Sequence, residues 1–371
     1  MLNWRQAPAL FLLALYRPVP ATAIPVFAHQ YGVTCAKCHS VIPHLNEFGA
    51  AFMAHGDRIP GVQPGTAVPL SLKVNLADSS ANQGDGPGGA GLPKTIVDEI
   101  ELFAAGVIGS RASYLVEQYV VDGGEPGQIR DAWVTDRVNP WRARTPIFLQ
   151  GGSFTLPLPV DPETFRDTYQ HYTVYDQTVG ANPFNFFAPN MGLRLGFGDP
   201  LRGLNLQLFA GPGYDRGSEL PKTGVDTMVY AQDAMGPFTL SLYRYDGLRL
   251  LAAGTISDHF QRIGYGFTYG QWSRFSSELV LQNGWDSNCA APSHTGCASS
   301  GGFEQLRYAF NRRLFTEARY EGTNDPSGFA RDAVVLLGYG PTENSRATVE
   351  DVIAHTPRTM NTMNAQFTLA Y

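Results

Sequence analysis

Residues 363–371 read MNAQFTLAY. Met363, Ala365, Phe367, Leu369 and Tyr371 alternate with Asn364, Gln366, Thr368 and Ala370. Successive side chains of a strand point to opposite faces, so this period of two predicts a strand with one apolar face and one small or polar face. Residues 70–76 repeat the pattern, with Leu70, Leu72, Val74 and Leu76 alternating with Ser71, Lys73 and Asn75. Similar short runs lie between these two, and an all-β chain is expected from residue 67 to residue 371.

Composition narrows the kind of β protein. Only 16% of the 371 residues are charged, against about 25% in an ordinary soluble domain. The mean hydropathy is nonetheless only -0.16. Forty glycines, 17 tyrosines and 22 phenylalanines help fill the gap. A transmembrane β-barrel has this composition, apolar and aromatic outside and small or polar inside. A secreted β-sandwich is the competing architecture. The net charge of -6 argues against a nucleic-acid partner.

Bacterial single-chain barrels have an even number of antiparallel strands, short periplasmic turns and longer outer loops. The long polar stretches are 77–95, 122–128, 157–189, 212–223 and 286–301, and short turns fall near Gly109, Asn139, Asp199, Gly236, Gly270, Asn311 and Thr342. Long and short alternate from both ends if residues 247–259 form one outer connection. A separate strand over 248–256 would make the total odd, so that run is expected at most to extend a neighbour. The count is sixteen strands. Glu99, Glu101, Glu117, Asp131, Arg307, Glu317 and Arg319 fall at inward positions, where a wet lumen or a plug is far less costly for charge than lipid. Gly196, Gly198 and Gly203 read as turn glycines.

The first 23 residues read as an export signal, with Arg5, a short apolar run over 7–16 and Ala21-Thr22-Ala23 as cleavage site. Export fits the next motif. Cys35-Ala36-Lys37-Cys38-His39 is C-x-x-C-H, the attachment motif of c-type haem. Two intervening residues put both sulfurs on one side of a helical turn, for thioethers to one porphyrin, and His39 supplies an axial nitrogen. Zinc would need two more ligands at compatible spacing, and a redox C-x-x-C pair would sit in a βαβ context. Residues 24–66 are therefore expected to be a short helical segment carrying one haem c. For the sixth ligand His29, His44, Met53 and His55 are nearby. His44 is too close to His39 to pass round the porphyrin edge. Pro43 breaks any helix begun at the motif, and a second amphipathic helix over 44–55, with Leu45, Phe48 and Phe52 on one face, can return over the haem. His55 at its end is the expected ligand, with Met53 as the alternative and a barrel residue or an open position left in play.

Residues 27–56, FAHQYGVTCAKCHSVIPHLNEFGAAFMAHG, resemble the N-terminal segment of the outer-membrane monohaem cytochrome–porin fusions, known from iron-oxidising bacteria. The resemblance lies in Phe27, Gly32, Cys35, Cys38, His39, Pro43, Leu45, Asn46, Phe48, Gly49, Phe52 and Gly56. It covers about thirty residues; beyond them the chain is similar only in being barrel-like. It implies a haem in or at a porin and an electron-transfer role, with Fe(II) as external donor, and it fixes no distal ligand. The aromatic C-terminal Tyr371 likewise resembles bacterial outer-membrane proteins.

Cys289 and Cys297 are expected to form a disulfide staple in an outer loop, a surface metal site around His294 being the minor reading. No nucleophile–base pair or phosphate-cradling loop stands out. The expected function is a bacterial outer-membrane electron carrier. It would contact lipid and pass electrons between a periplasmic c-type cytochrome or similar carrier and an extracellular partner, with Fe(II) oxidation as its sharpest form. The alternatives are a porin whose haem-bearing plug senses redox state or a small gas, and a soluble periplasmic β-rich cytochrome.

Overall fold

The computed structural model describes residues 25–65, 68–80, 96–138, 147–212, 224–251, 256–289, 296–356 and 358–371. The expected export signal, the turn near Asn139 and His294 lie outside them. Two helices open the described chain, α1 (Pro25–Tyr31) and α2 (Glu47–Ala54). Sixteen barrel strands follow: β1 (Leu70–Ser79), β2 (Ile96–Ile108), β3 (Ala112–Asp122), β4 (Ile129–Val138), β5 (Ile147–Phe154), β6 (Asn190–Asp199), β7 (Arg202–Gly211) and β8 (Asp226–Met235) form the first half. The second half is β9 (Phe238–Leu251), β10 (Ile256–Tyr269), β11 (Phe275–Asp286), β12 (Cys297–Ala309), β13 (Leu314–Asp325), β14 (Gly328–Tyr339), β15 (Ser345–Thr356) and β16 (Arg358–Ala370).

Each strand pairs antiparallel with the next, and β16 closes on β1 with Phe367 opposite Leu76 and Leu369 opposite Val74. Leu72 and Tyr371 exchange backbone hydrogen bonds of 2.7 Å at the seam. Closure leaves no open sheet edge, which is what a sheet in lipid requires. The alternation seen in sequence has its expected faces. Asn364, Thr368 and Ala370 are buried while Met363, Leu369 and Tyr371 are exposed, and Ser71 and Asn75 are buried beside exposed Leu70. Leu102, Val134, Leu149, Leu193, Leu240, Leu281, Val335 and Val349 continue an exposed apolar belt round the outside. A sandwich has no such closed belt, so that competing architecture is excluded. Among the described residues no helix is long and apolar enough to cross a membrane.

One end of the barrel carries tight connections, 109–111, 200–201, 236–237, 270–274, 310–313 and 340–344. The two-residue turn at Gly236 needs φ of +62° there, which a side chain would strain. By the rule for bacterial barrels this end is periplasmic. The other end is less uniform than expected. The connection placed at 247–259 shrinks to 252–255, because Leu248 to Leu251 extends β9 and pairs with the start of β10. The turn at 326–327, between β13 and β14, is shorter still.

The interior departs from the expected polar lumen. Residues 155–189, between β5 and β6, fold inward and carry the short helix α3 (Thr173–Asp176). Leu156, Leu158, Val160, Tyr172, Tyr175, Phe184 and Phe186 from this stretch pack on inward-facing Phe209, Tyr230, Tyr243, Tyr245, Phe260 and Phe303. This side of the lumen is thus packed with aromatic side chains, with the buried Arg249–Asp226 and Arg262–Asp286 pairs among them. The charged residues expected inward are there: Glu101, Glu117, Asp131, Arg307, Glu317 and Arg319 are buried, and Glu99, half-buried, accepts from the inward Asn75 side chain. They answer a plug rather than a water channel: Arg319 donates to Thr168 (2.7 Å) and to the Gln170 carbonyl (2.8 Å).

Candidate functional site

The C-x-x-C-H turn is a 3-10 helix, Cys35–Lys37, followed by two short paired strands, His39–Val41 and His44–Leu45. Asn46 organises what comes next. Its side chain caps α2 by accepting from the Gly49 amide (3.0 Å) and donates to the Lys37 carbonyl (3.2 Å), while its own amide donates to the Cys38 carbonyl (2.9 Å). The first turn of α2 is thereby laid on the motif. Gly49 shows how closely: a Cβ there would lie 2.1 Å from the Cys38 carbonyl oxygen. The helix runs 47–54, shorter than the 44–55 expected, because Asn46 takes the cap position and His44 is held in a strand. Phe52 packs edge-on against Phe27 and Tyr31 of α1.

Residues 25–65 sit in the short-turn mouth of the barrel. Gln30 donates to the Ala105 carbonyl (3.2 Å), Arg58 to that of Ala112 (2.7 Å), and Arg137 of β4 to that of Met53 (3.2 Å). Val41 packs on Phe315 and Leu336. A buried hub joins this segment to the inward stretch and the wall: Asp167 pairs with Arg307 at 2.6 Å, lies 3.4 Å from His44 and 3.5 Å from Arg346. Nothing local in the sequence marks Asp167, whose partners lie more than a hundred residues away.

Between segment and wall lies a cavity lined by Phe27, Tyr31, Cys38, His39, Phe52 and Met53 on one side and Phe103, Leu115, Tyr119 and Trp133 on the other. Its polar margin carries Lys73 paired with Glu101 (2.7 Å) and Arg130 paired with Glu163 (2.8 Å). His39 Nδ1 lies 2.8 Å from the Pro43 carbonyl. A carbonyl only accepts, so Nδ1 carries the proton and Nε2 keeps the lone pair. Burial pushes the His39 pKa down to about 4, against the pull of that carbonyl. The ring is neutral at physiological pH, with the Nε2 lone pair available. Burial raises Cys35 to about 12 and Cys38 to about 11. Thiols so protonated are the reverse of a reactive C-x-x-C pair, which depends on a stabilised thiolate.

These residues fit a c-type haem: two thiols outside any disulfide, an oriented neutral imidazole and an apolar wall. The sixth-ligand expectation fares differently for its two residues. Met53 lines the cavity. His55, the expected ligand, is the C-terminal cap of α2 with Nδ1 2.6 Å from the Ala51 carbonyl, and it does not line the cavity. His29 is exposed and His44 is committed to the Asp167 hub. At the far end Cys289 and Cys297 are disulfide-bonded, Cα atoms 6.0 Å apart. The Cys289 carbonyl accepts from the Ala181 amide (2.7 Å), tying this staple to the inward stretch.

No protein-family model matches the chain, and no curated protein matches it. Solved structures do. The anion-selective porin from Comamonas acidovorans superposes with a TM-score of 0.58 at 12% identity, over 82% of this chain and 99% of the porin. The fold is that of a porin. The outer membrane channel DcaP of Acinetobacter baumannii gives 0.57 at 11%, over 81% and 96%. Salmonella typhi OmpF in complex with daunomycin gives 0.59 at 11%, over 81% and 97%. Identities this low speak for architecture alone. With the exposed apolar belt they make this a porin-like barrel of the bacterial outer-membrane type.

Proposed function

We propose that this barrel carries one haem c, joined through Cys35 and Cys38 with His39 as an axial ligand, and passes electrons between a periplasmic carrier and an extracellular partner. The observation that carries the reading is the position of His39: its ring lines a cavity walled jointly by residues 25–65 and by the barrel, at the short-turn mouth. When bound, the haem supplies a one-electron couple whose potential depends on axial ligation, burial and hydrogen bonding. The chain's own residues do the rest. Pro43 holds the His39 ring by its Nδ1 proton, and Phe27, Phe52, Phe103 and Trp133 keep water from the ligand face. Met53, which lines the same cavity, would be the second iron ligand. The exposed tip of the segment, where Lys37 sits 4.2 Å over the Phe48 ring, faces the compartment of a soluble cytochrome. Fe(II) as external donor rests on the resemblance of residues 27–56 to the cytochrome–porin fusions.

A second reading is a porin whose haem-bearing plug senses redox state or a small gas. The likeness to porins, one of them anion-selective, favours it. One preparation separates the two. The purified protein is placed in liposomes enclosing oxidised soluble cytochrome c, and a membrane-impermeant reductant or Fe(II) is added outside. Electron conduction reduces the enclosed cytochrome while ion conductance in planar bilayers stays low. Porin-like conductance without reduction of the enclosed cytochrome overturns the first reading in favour of the second. A protein without covalent haem overturns both.

A further inference from the structure

Three buried or half-buried carboxylates converge where the inward stretch meets the wall: Glu117 on β3, Asp131 on β4 and Glu163 between β5 and β6, each with an oxygen within 4.8 Å of the others. Their surroundings do not neutralise them. The charges acting on Asp131 are Glu163 and Asp161 against Arg130 and Arg194. With Glu117, four carboxylates face two guanidiniums. Lys73 also acts on Glu117, but it is engaged by Glu101 at 2.7 Å. Asp161 is occupied by the Glu163 amide (2.9 Å) and the Thr164 hydroxyl (2.8 Å). A separate observation concerns the same Asp131 carboxylate. Asp131 is only 4% exposed, and its Oδ1 is buried with no hydrogen-bond partner. A buried carboxylate oxygen without a donor is costly enough that native proteins rarely leave one so.

We propose that Glu117, Asp131 and Glu163 bind one hard divalent cation. A double positive charge brings the group of four carboxylates and two guanidiniums to neutrality and gives the stranded Asp131 oxygen a partner. All three donors are carboxylate oxygens, with no imidazole or thiolate among them, which selects magnesium, calcium or manganese over softer metals. Access exists, because Glu117, Glu163 and Arg130 line the cavity that His39 lines. The site holds whether or not haem is attached at Cys35 and Cys38.

The full-length chain in detergent, freed of metal with chelator, is titrated with Mn2+ while the resonance of free hydrated Mn2+ is followed by electron paramagnetic resonance. Wild type should take up one Mn2+ per chain, and Mg2+ or Ca2+ should displace it. Glu117→Gln/Asp131→Asn should abolish this uptake. Glu163→Gln, which removes a donor without touching the barrel wall, should weaken it. The mobility of unheated protein on denaturing gels reports whether each variant is folded. Wild type that leaves all the Mn2+ in solution, so that protons neutralise the cluster, overturns the proposal. So does uptake unchanged in the folded variants, which would place the bound metal elsewhere.

Discussion

The proposed haem site requires the imidazole of His39 to keep one nitrogen still and offer the other. The Pro43 carbonyl does the first and burial the second, by holding the ring neutral. The attachment is tested by replacing both Cys35 and Cys38 with alanine. No haem stain should remain on the denatured polypeptide, and persistent stain would remove the assignment. The sixth ligand is a sharper test because neighbouring residues disagree. Met53 lines the cavity while His55 has its ring against the Ala51 carbonyl at 2.6 Å. Met53→Ala should convert a low-spin spectrum toward high spin and admit carbon monoxide to the reduced form. It should also lower the potential, since a thioether ligand raises it relative to a second imidazole. His55→Ala should leave the spectrum alone; the opposite pattern would make His55 the ligand.

Between elements, close approach decides what can vary. The α2 helix lies on the haem-motif turn with only Gly49 between them. Alanine would gain about 1 kcal/mol of helix propensity over glycine. The overlap with the Cys38 carbonyl outweighs this, and Gly49→Ala should destabilise the segment by roughly 1–3 kcal/mol. Faster proteolysis within residues 25–65 of the otherwise intact barrel would report it, and wild-type resistance would refute it. The dock between segment and inward stretch should also depend on pH. Burial lowers the His44 pKa, Arg307 lowers it further and Asp167 opposes them. The unfolded chain, with a histidine pKa of about 6.5, therefore takes up the proton more readily. Stability from the neutral His44 is full above about pH 6.5 and falls as the pH drops below it. Burial pushes Asp167 up, but Arg307, His44 and Arg346 together hold it below the usual carboxylate range. Its contribution is present above about pH 3.9 and is lost only in stronger acid. Cleavage within 25–65 should accelerate from about pH 6.5 downward; a flat profile would remove His44 as the cause.

The whole barrel is asymmetric along its axis. Residues 25–65 occupy the short-turn end, and the Cys289–Cys297 staple and the long connections occupy the other. If the short turns are periplasmic, the proposed haem faces the periplasm. An epitope inserted at Ser327, in the turn between β13 and β14, should be labelled on intact cells. One at Thr342, between β14 and β15, should be labelled only after the outer membrane is opened. The reverse pattern would turn the molecule over and put the haem segment outside. Across the axis, aromatic packing runs along β7 to β12, while buried charge lies along β1 to β4, β12 to β15 and also β8 to β11, where Arg249 pairs with Asp226 and Arg262 with Asp286. An electron crossing the barrel would thus travel through packed side chains rather than a water channel.

Amino-acid order alone carries the barrel, because a strand with lipid on one side must alternate. The runs at 70–76 and 363–371 already separate outside from inside, and parity of turns and loops yields sixteen strands. It also carries the C-x-x-C-H motif, because the proposed haem attachment depends on local spacing alone. What it cannot carry is anything made by residues far apart in the chain. Residues 248–251 lengthen β9 by pairing with residues 256–259 across the adjacent hairpin, an extension that parity admitted and could not decide. Residues 157–189 look like a polar outer loop, yet Phe184 packs on Tyr245 and Phe186 on Tyr243 inside the lumen. His55 and Met53 are two positions apart, and only the seating of α2 on the Cys38 carbonyl decides which reaches the cavity. The Glu117–Asp131–Glu163 group needs two adjacent strands and an inward loop to meet. Periodicity reports which face a side chain takes, whereas its neighbours across the lumen depend on how the closed sheet and its plug pack together.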